Sequence, residues 1–190
     1  FETGPSSEDW RAVWIGAPLE HPIESAYLDV GASWYWTGEG DARVDAPAGE
    51  RTFRTFYEVD AKSLSGTTEC VITGDDEVTV WVNNARVLTH ANHREYRRVD
   101  ISDRLVAGRN VIVLKAKNAK GPAGLSGYIV TTPAAPDAMP VVSDFLAPAY
   151  WTAEAIDVLK VAESDPKTWK SVRRVAAAGE SPWGRPRMIR

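Results

Sequence analysis

The sequence contains a single cysteine, Cys70, among its 190 residues. A lone cysteine cannot form an internal disulfide bond, and a metal site built from several cysteines is excluded. Because Cys70 opens the apolar run 70–72, we expect it to be a buried small side chain rather than a nucleophile. The cysteine count therefore leaves the cellular compartment open.

Long apolar runs and an excess of basic residues are also missing. No run of 18 or more apolar residues occurs, so no membrane-spanning helix is predicted. The formal net charge of -4 disfavours nucleic acid, which binds to a basic stripe. Glu95 and Asp100 interrupt the densest basic cluster, Arg94, Arg97 and Arg98, which favours solvated surface. Neither a membrane nor a nucleic acid is an expected partner.

Tryptophan, by contrast, is abundant, with eight residues in the chain. They are Trp10, Trp14, Trp34, Trp36, Trp81, Trp151, Trp169 and Trp183. Sugar-binding proteins are often rich in aromatic residues, because the C–H faces of sugars stack on the rings. The alternative is that most of these rings fill a core, since each can bury a large area.

Short runs typical of β-strands, separated by Gly, Pro and Asn, fill residues 10 to 132. The runs are 11–15, 33–36, 52–59, 67–73, 77–82, 85–88, 96–101, 111–116 and 124–132. Run 52–59 alternates with a period of two, which points Phe53 and Val59 inward. Asn83 and Asn84 suit a tight hairpin, because Asn tolerates positive φ. The pattern predicts an all-β sandwich and disfavours a doubly wound α/β fold.

The organisation along the chain predicts one sandwich with flanking segments. Residues 1–32 are expected to be an N-terminal extension that packs on the sandwich, and residues 33–132 the sandwich itself. Residues 133–190 are expected to be a linker and a C-terminal extension of short helical and irregular structure. Within it, residues 152–163 suit a short helix capped by Thr152.

Several segments together resemble a known kind of module. They are the segments 33–36, 46–56, 72–83, 99–112 and 118–125. In this combination they resemble the galactose-binding-like modules of glycosidases, and most of all the rhamnose-binding module of α-L-rhamnosidases. The tail Pro182–Gly184 also resembles the end of an accessory β-domain in such enzymes. The resemblance implies a jelly-roll sandwich and a secreted, extracellular location.

Members of that rhamnose-binding family hold the sugar partly through a calcium ion. The resemblance implies a site at Asp75, Asp76, Asn118 and the backbone carbonyl of Pro122. Calcium takes six to eight oxygen ligands, which such residues and a sugar diol can supply. We expect Asp76, Asn118 and Pro122 to be the metal ligands, and Asp75, Asp76 and Asn118 to contact the sugar.

Two points qualify this site. Neighbouring residues of a regular strand point to opposite faces, so Asp75 and Asp76 need a loop or bulge, which Gly74 favours. The second position is often Asn in the family, so Asp76 implies stronger calcium binding, a purely structural calcium or a different sugar. As an alternative, both aspartates bind backbone N–H groups of the hairpin, and Asn118 is a turn residue.

Several other polar residues are further candidates for the sugar site. Glu39 lies either at the rim of the site or in solvent, and the second interpretation is favoured. Arg54 can hydrogen-bond a sugar or pair with a carboxylate, and the pairing is favoured. His90 and His93 lack a third zinc ligand, so a polar surface loop is preferred. Asn92, in the same loop, is expected to border the sugar site.

The sequence therefore predicts a non-catalytic carbohydrate-binding module. It would recognise a terminal sugar, L-rhamnose, with calcium, and direct a larger glycoside hydrolase or lyase to a rhamnose-containing polysaccharide. The catalytic domain of that enzyme is the expected protein partner. No phosphate-binding loop, serine elbow or His-Glu metal motif is present. A structural accessory domain without a ligand and a polysaccharide-cleaving enzyme, which would need two carboxylates across a cleft, remain alternatives.

Overall fold

The chain folds into strands joined by short turns. The computed structural model describes residues 33–135, 138–154 and 156–188, and these contain thirteen strands. The strands are β1 (Ser33–Trp36), β2 (Gly49–Val59), β3 (Thr67–Asp75), β4 (Glu77–Val82), β5 (Ala85–His90), β6 (Glu95–Asp100), β7 (Gly108–Asn118), β8 (Gly124–Thr132), β9 (Val141–Ser143), β10 (Tyr150–Thr152), β11 (Lys170–Ser171), β12 (Arg173–Ala177) and β13 (Arg187–Met188). Short 3₁₀ helices span Ala61–Ser65, Ser102–Arg104, Val158–Glu163 and Pro166–Thr168.

These strands form two sheets. The first has the order β12-β1-β8-β3-β6-β13, with β9 alongside β8, and the second has the order β11-β10-β2-β7-β4-β5. The pairs are antiparallel, except that β13 runs parallel to β6. The two sheets face each other, so the predicted all-β sandwich is confirmed.

Alternating apolar side chains explain why the sheets pack together. In β4, Val78, Val80 and Val82 are buried, whereas the residues between them are partly exposed. Because successive strand side chains point to opposite faces, one face of β4 lies on the core. The main core cluster draws on both sheets through Trp36, Cys70, Ile72, Leu125 and Ile129 of the first and Phe53, Val78, Val80, Ile112 and Leu114 of the second.

The buried positions predicted from the pattern are found in this core. Phe53, Val59 and Cys70 are all buried, as expected. Burial raises the pKa of the Cys70 thiol to about 12, so the reactive thiolate is scarce at neutral pH. Cys70 is therefore a packing residue.

The predicted hairpin at Asn83–Asn84 is confirmed. Both residues have positive φ, 46° and 70°, which Asn adopts more readily than most residues. The Asn83 amide donates to the side chain of Asn110 at 2.7 Å and accepts from the N–H of Val111 at 3.0 Å. The turn is thereby tied to the start of β7.

Strands β9 to β13 lie in the segment 133–190, and they add to both sheets. The helix predicted at 152–163 is wrong, because Thr152 is the last residue of β10 and pairs with Thr52 of β2. In the described part of this segment, a 3₁₀ helix from Val158 follows, capped by Asp157. The predicted extension 1–32, with its strand 11–15, lies outside the described residues.

Among the described residues, no helix is long and apolar enough to cross a membrane.

Candidate functional site

Asp75 and Asp76 lie where the chain passes from one sheet to the other. Asp75 ends β3 and pairs with Gly124 of β8 in the first sheet, whereas Glu77 begins β4 and pairs with Lys117 of β7 in the second. The segment that joins β7 to β8 makes the same crossing at the same end of the sandwich. The two crossings explain why Asp76 and Ala119, 43 residues apart in the sequence, lie side by side.

Asp76 connects these two segments directly. Its side-chain Oδ2 accepts a hydrogen bond from the N–H of Ala119 at 2.7 Å, and its own N–H donates to the carbonyl of Lys117 at 3.0 Å. The residue is exposed to solvent, so part of the carboxylate remains open. The regular strand ends before Asp76, and the peptide bond between Asp75 and Asp76 is cis.

Asp75 is buried and has two partners of its own. Oδ2 accepts a hydrogen bond from the indole Nε1–H of Trp183 at 2.8 Å, and Oδ1 lies 3.3 Å from Nδ1 of His93. Burial raises the pKa of Asp75, and the adjacent Asp76 raises it further, while Trp183 and His93 act in the opposite direction. The two aspartates therefore form a close pair of carboxyl groups, in which burial favours the neutral form of Asp75.

Asn118 ends β7, and the residue is 1% exposed. The amide nitrogen donates to the carbonyl of Ala46 at 2.9 Å. The amide oxygen Oδ1 is buried and has no hydrogen-bond donor among the described residues. Because buried polar atoms are nearly always paired, an unpaired acceptor at this position is unusual and could accept from, or coordinate, a ligand.

The loop after Asn118 is held from the opposite side. The N–H of Ala46 donates to the carbonyl of Gly121 at 2.8 Å, and the N–H of Ala123 donates to the carbonyl of Ala42 at 2.9 Å. Gly121 has φ of 76°, a backbone conformation that favours glycine. Pro122 follows it and is partly exposed. The loop is therefore firmly shaped next to Asp76 and Asn118.

Trp183 forms a wall beside the aspartates. Its ring stacks on Trp34 with centroids 4.7 Å apart and an angle of 18°. A Cβ atom at Gly124 would lie 2.9 Å from Trp34 and 3.0 Å from Trp183, so the pair requires glycine there. Asn92 borders a cavity that Trp183 also lines.

Glu39, the predicted rim residue, contacts Arg51 and Thr37. Its Oε2 lies 2.6 Å from Nε of Arg51, and the hydroxyl of Thr37 donates to it at 3.4 Å. In the described part of the chain, these polar contacts place Glu39 in an ion pair on the surface.

Of the two histidines expected in a polar surface loop, His93 lies in a partly exposed turn, whereas His90 does not lie in the loop. His90 is the last residue of β5 and is buried, with Nε2 at 2.9 Å and 2.8 Å from the carbonyls of Asn92 and Glu95. Two carbonyl neighbours imply that Nε2 is protonated and donates, so it is not a free metal ligand. His93 instead faces Asp75.

Arg54 lies on the outer face of the second sheet. Its Nη1 donates to the carbonyl of Val161 at 3.0 Å and to the hydroxyl of Ser164 at 3.1 Å, and its guanidinium lies 4.2 Å from the ring of Trp169. The predicted pairing with a carboxylate is wrong for the described residues, because the carbonyl of Val161 and the hydroxyl of Ser164 occupy that position.

Comparison with known proteins identifies relatives of this sandwich. No protein-family profile matches the chain. An α-L-rhamnosidase of Streptomyces avermitilis is 32% identical over 196 residues, which cover 97% of this chain and 18% of that protein. The chain thus spans less than one fifth of that relative.

Solved structures give a consistent result. Streptomyces avermitilis α-L-rhamnosidase complexed with L-rhamnose has a TM-score of 0.68 and 29% identity, covering 81% of this chain and 15% of that one. The Pleurotus ostreatus lectin in complex with GalNAc has a TM-score of 0.66 and 26% identity, covering 84% and 46%. A family 78 rhamnosidase of Bacillus sp. GL1 shares the fold, with a TM-score of 0.62 and 22% identity over 83% and 19%.

The chain is homologous to a segment of α-L-rhamnosidases. It is also related to the Pleurotus ostreatus lectin, whose structure was solved in complex with GalNAc. The predicted resemblance to rhamnosidase modules is confirmed at this level. The segment matches only a fraction of a rhamnosidase chain.

Sequence reasoning missed two residues at the site of this rhamnosidase-related segment. His93 and Trp183 both contact Asp75, from positions 18 and 108 residues further along the chain. Trp183 carried a signal, because the sequence Pro182–Gly184 already resembled the end of an accessory domain. His93 carried none, since only the fold shows that its loop lies beside the end of β3.

Proposed function

We propose that this chain is a non-catalytic carbohydrate-binding module that recognises a terminal sugar, L-rhamnose, with the help of calcium. The buried amide oxygen of Asn118 supports this most directly, because no described residue donates to it and it belongs to the residue next to Ala119, which contacts Asp76. The homology to a rhamnosidase segment and to a lectin fits the same proposal. The module would be part of a secreted glycan-degrading enzyme and would lie beside its catalytic domain.

The residues present suit calcium. Calcium binds carboxylate, amide and backbone carbonyl oxygens, and this region offers the open carboxylate of Asp76, Oδ1 of Asn118 and the carbonyl of Pro122. Among the described residues no group of three His, Cys, Asp or Glu side chains forms a metal site. A site here would therefore depend on amide and backbone oxygens as well as carboxylates. When bound, calcium would neutralise the aspartates and coordinate sugar hydroxyls.

The other side chains of the site would contact the sugar directly or fix the residues that do. A sugar hydroxyl would donate to a lone pair of the Asp75 carboxylate that its neighbours Trp183, His93 and Asp76 leave open. Trp183 would fix the orientation of that carboxylate. Asn92, and Glu39 if its pairing with Arg51 opens, would contact the sugar at the rim.

Calorimetric titration with L-rhamnose tests this proposal. We expect binding in calcium and a loss of at least about tenfold in affinity after treatment with EDTA, since calcium completes the sugar site. Asp76→Ala should cause a similar loss. Asp103→Ala, which removes an exposed carboxylate from the distant 3₁₀ helix Ser102–Arg104, is the matched control and should bind as the parent does.

The other outcomes separate the alternatives. Equal affinity of Asp76→Ala and the parent for sugar and calcium would refute the proposed site. A folded protein that binds neither L-rhamnose nor GalNAc would indicate a structural accessory domain. Turnover of rhamnose-containing polysaccharide by the chain itself would indicate an enzyme.

A further inference from the structure

A second cavity, of about 690 Å³, opens directly beside the aspartate site. Its lining residues are Asn92, Arg94, Glu95, Trp183, Arg185 and Arg187. Trp183 is a shared wall, because its Nε1 donates to Asp75 while the residue also lines the cavity. A volume of this size lies within the range of ligand pockets.

The cavity is strongly basic in an acidic protein. Three arginines and one glutamate line it, whereas the whole chain has a net charge of -4. In the described part of the chain, none of the guanidinium groups of Arg94, Arg185 and Arg187 forms an ion pair or a side-chain hydrogen bond. Their charge is therefore available to a ligand.

The fold brings these arginines together from distant parts of the sequence. β13 runs parallel to β6, so that Arg187 lies opposite Glu95, and the N–H of Arg187 donates to the carbonyl of Arg94 at 2.8 Å. Arg185 lies between Trp183 and this strand. The backbone of the cluster is fixed by the sheet, while the exposed guanidinium groups can adapt to an anion.

We propose that this cavity binds the carboxylate of a uronic acid that adjoins the terminal sugar, so that the module selects an acidic polysaccharide. This inference rests on the proposed function, because the aspartate site must hold the terminal sugar. The planar guanidinium of arginine pairs with a carboxylate through two parallel hydrogen bonds. A uronic acid is a sugar unit that carries such a group, and the shared Trp183 would place it next to the terminal unit.

The first experiment tests the cavity alone. D-Glucuronate is titrated into the protein, and the Nε–Hε resonances of arginine are followed by NMR. We expect Arg94, Arg185 and Arg187 to shift with glucuronate, weakly with glucose 6-sulfate and not with glucose. The shifts should weaken in high salt, which screens exposed charges. Absence of shifts, or equal shifts with the sulfate ester, would overturn the assignment to a uronic acid.

The second experiment tests the link to the sugar site. Calorimetry in calcium compares a disaccharide of L-rhamnose linked to D-glucuronic acid with its carboxyl-reduced form. We expect the acid to bind about tenfold more tightly, in keeping with charge-assisted pairing. The double variant Arg185→Gln, Arg187→Gln should lose this preference and keep its affinity for L-rhamnose. Arg86→Gln removes the same charge from β5 of the other sheet and should keep the preference.

The outcomes distinguish the two proposals. Binding of L-rhamnose without a preference for the acid would overturn the uronic acid inference and leave the sugar site intact. Glucuronate shifts without any binding of L-rhamnose would overturn the proposed function and leave an anionic sugar site at the cavity. An equal loss of preference in Arg86→Gln would show a general charge effect and would contradict the inference.

Discussion

At the scale of single residues, the site depends on one glycine as much as on its carboxylates. Gly124 pairs with Asp75 across the first sheet and leaves room for the stacked rings of Trp34 and Trp183. The indole of Trp183 then holds the carboxylate of Asp75. Gly124 has no side chain, yet it determines where Trp183 holds the carboxylate of Asp75.

We expect Gly124→Ala to destabilise the protein by about 1–3 kcal/mol, because overpacking forces side chains from their positions. It should also weaken L-rhamnose binding, since Trp183 must move away from Asp75. Urea denaturation and calorimetry measure the two effects. Gly38→Ala is the control, because its added Cβ would lie 2.9 Å from the flexible side chain of Arg173. Equal effects of both changes would contradict this account.

At the scale of elements, sequence and structure agree where a strand is long enough to show a pattern. Run 77–82 alternates valine with Glu77, Thr79 and Trp81 and is strand β4, and the two asparagines after it form the hairpin. Strands β11 and β13 have two residues each, too few to show any period. Their positions depend on partners far away in sequence, which no local pattern reveals.

The candidate site was predicted from a family resemblance rather than from strand periodicity. Asp75, Asp76 and Asn118 came from a resemblance to a known module, and the structure places the segments of Asp76 and Asn118 in contact. The arginine cavity could not be predicted, because Arg94 and Arg187 meet only through the parallel pairing of β13 with β6. The surface charge of Arg94 is visible in the sequence, but its neighbours are not.

The connection between β9 and β10 contains a polar contact that depends on pH. The hydroxyl of Tyr35 in β1 donates to Oδ2 of Asp144 at 2.6 Å, and Oδ1 of Asp144 accepts from the N–H of Leu146 at 3.0 Å. Burial and the hydrogen bond to Asp144 raise the pKa of Tyr35 from 10.0 to about 12. The neutral phenol therefore stabilises the fold fully below pH 10, and this contribution is lost as the pH rises from 10 to about 12.

We expect Tyr35→Phe to lower the free energy of unfolding by about 1–2 kcal/mol at neutral pH, because a hydrogen bond to a charged group is lost. Between pH 10 and about 12 the stability of the variant should fall less steeply than that of the parent. Urea denaturation across this range is the measurement. Tyr57→Phe, which removes a bond to the neutral hydroxyl of Thr131, is the control. The same steepness in Tyr35→Phe and the parent would contradict the assignment.

At the scale of the whole molecule, the site lies at the end of the sandwich where the chain crosses from one sheet to the other. Asp75 belongs to the first sheet, and Asn118 ends a strand of the second. An ion held by both sides would link the two sheets, and unfolding would release it. Any ligand that binds only the folded state adds stability according to its concentration relative to its dissociation constant.

Calcium should therefore raise the melting temperature. Extracellular modules bind calcium with dissociation constants of about 10⁻⁴ to 10⁻³ M. A concentration of 10 mM would then add about 1.4–2.7 kcal/mol, which corresponds to roughly 3–10 °C for a domain of this size. Scanning calorimetry with calcium, magnesium and EDTA measures the shift. Magnesium should have little effect, because it demands a strict octahedral set of ligands. Asp76→Ala should abolish the shift and Asp103→Ala should keep it, whereas equal shifts in both variants would place the calcium elsewhere.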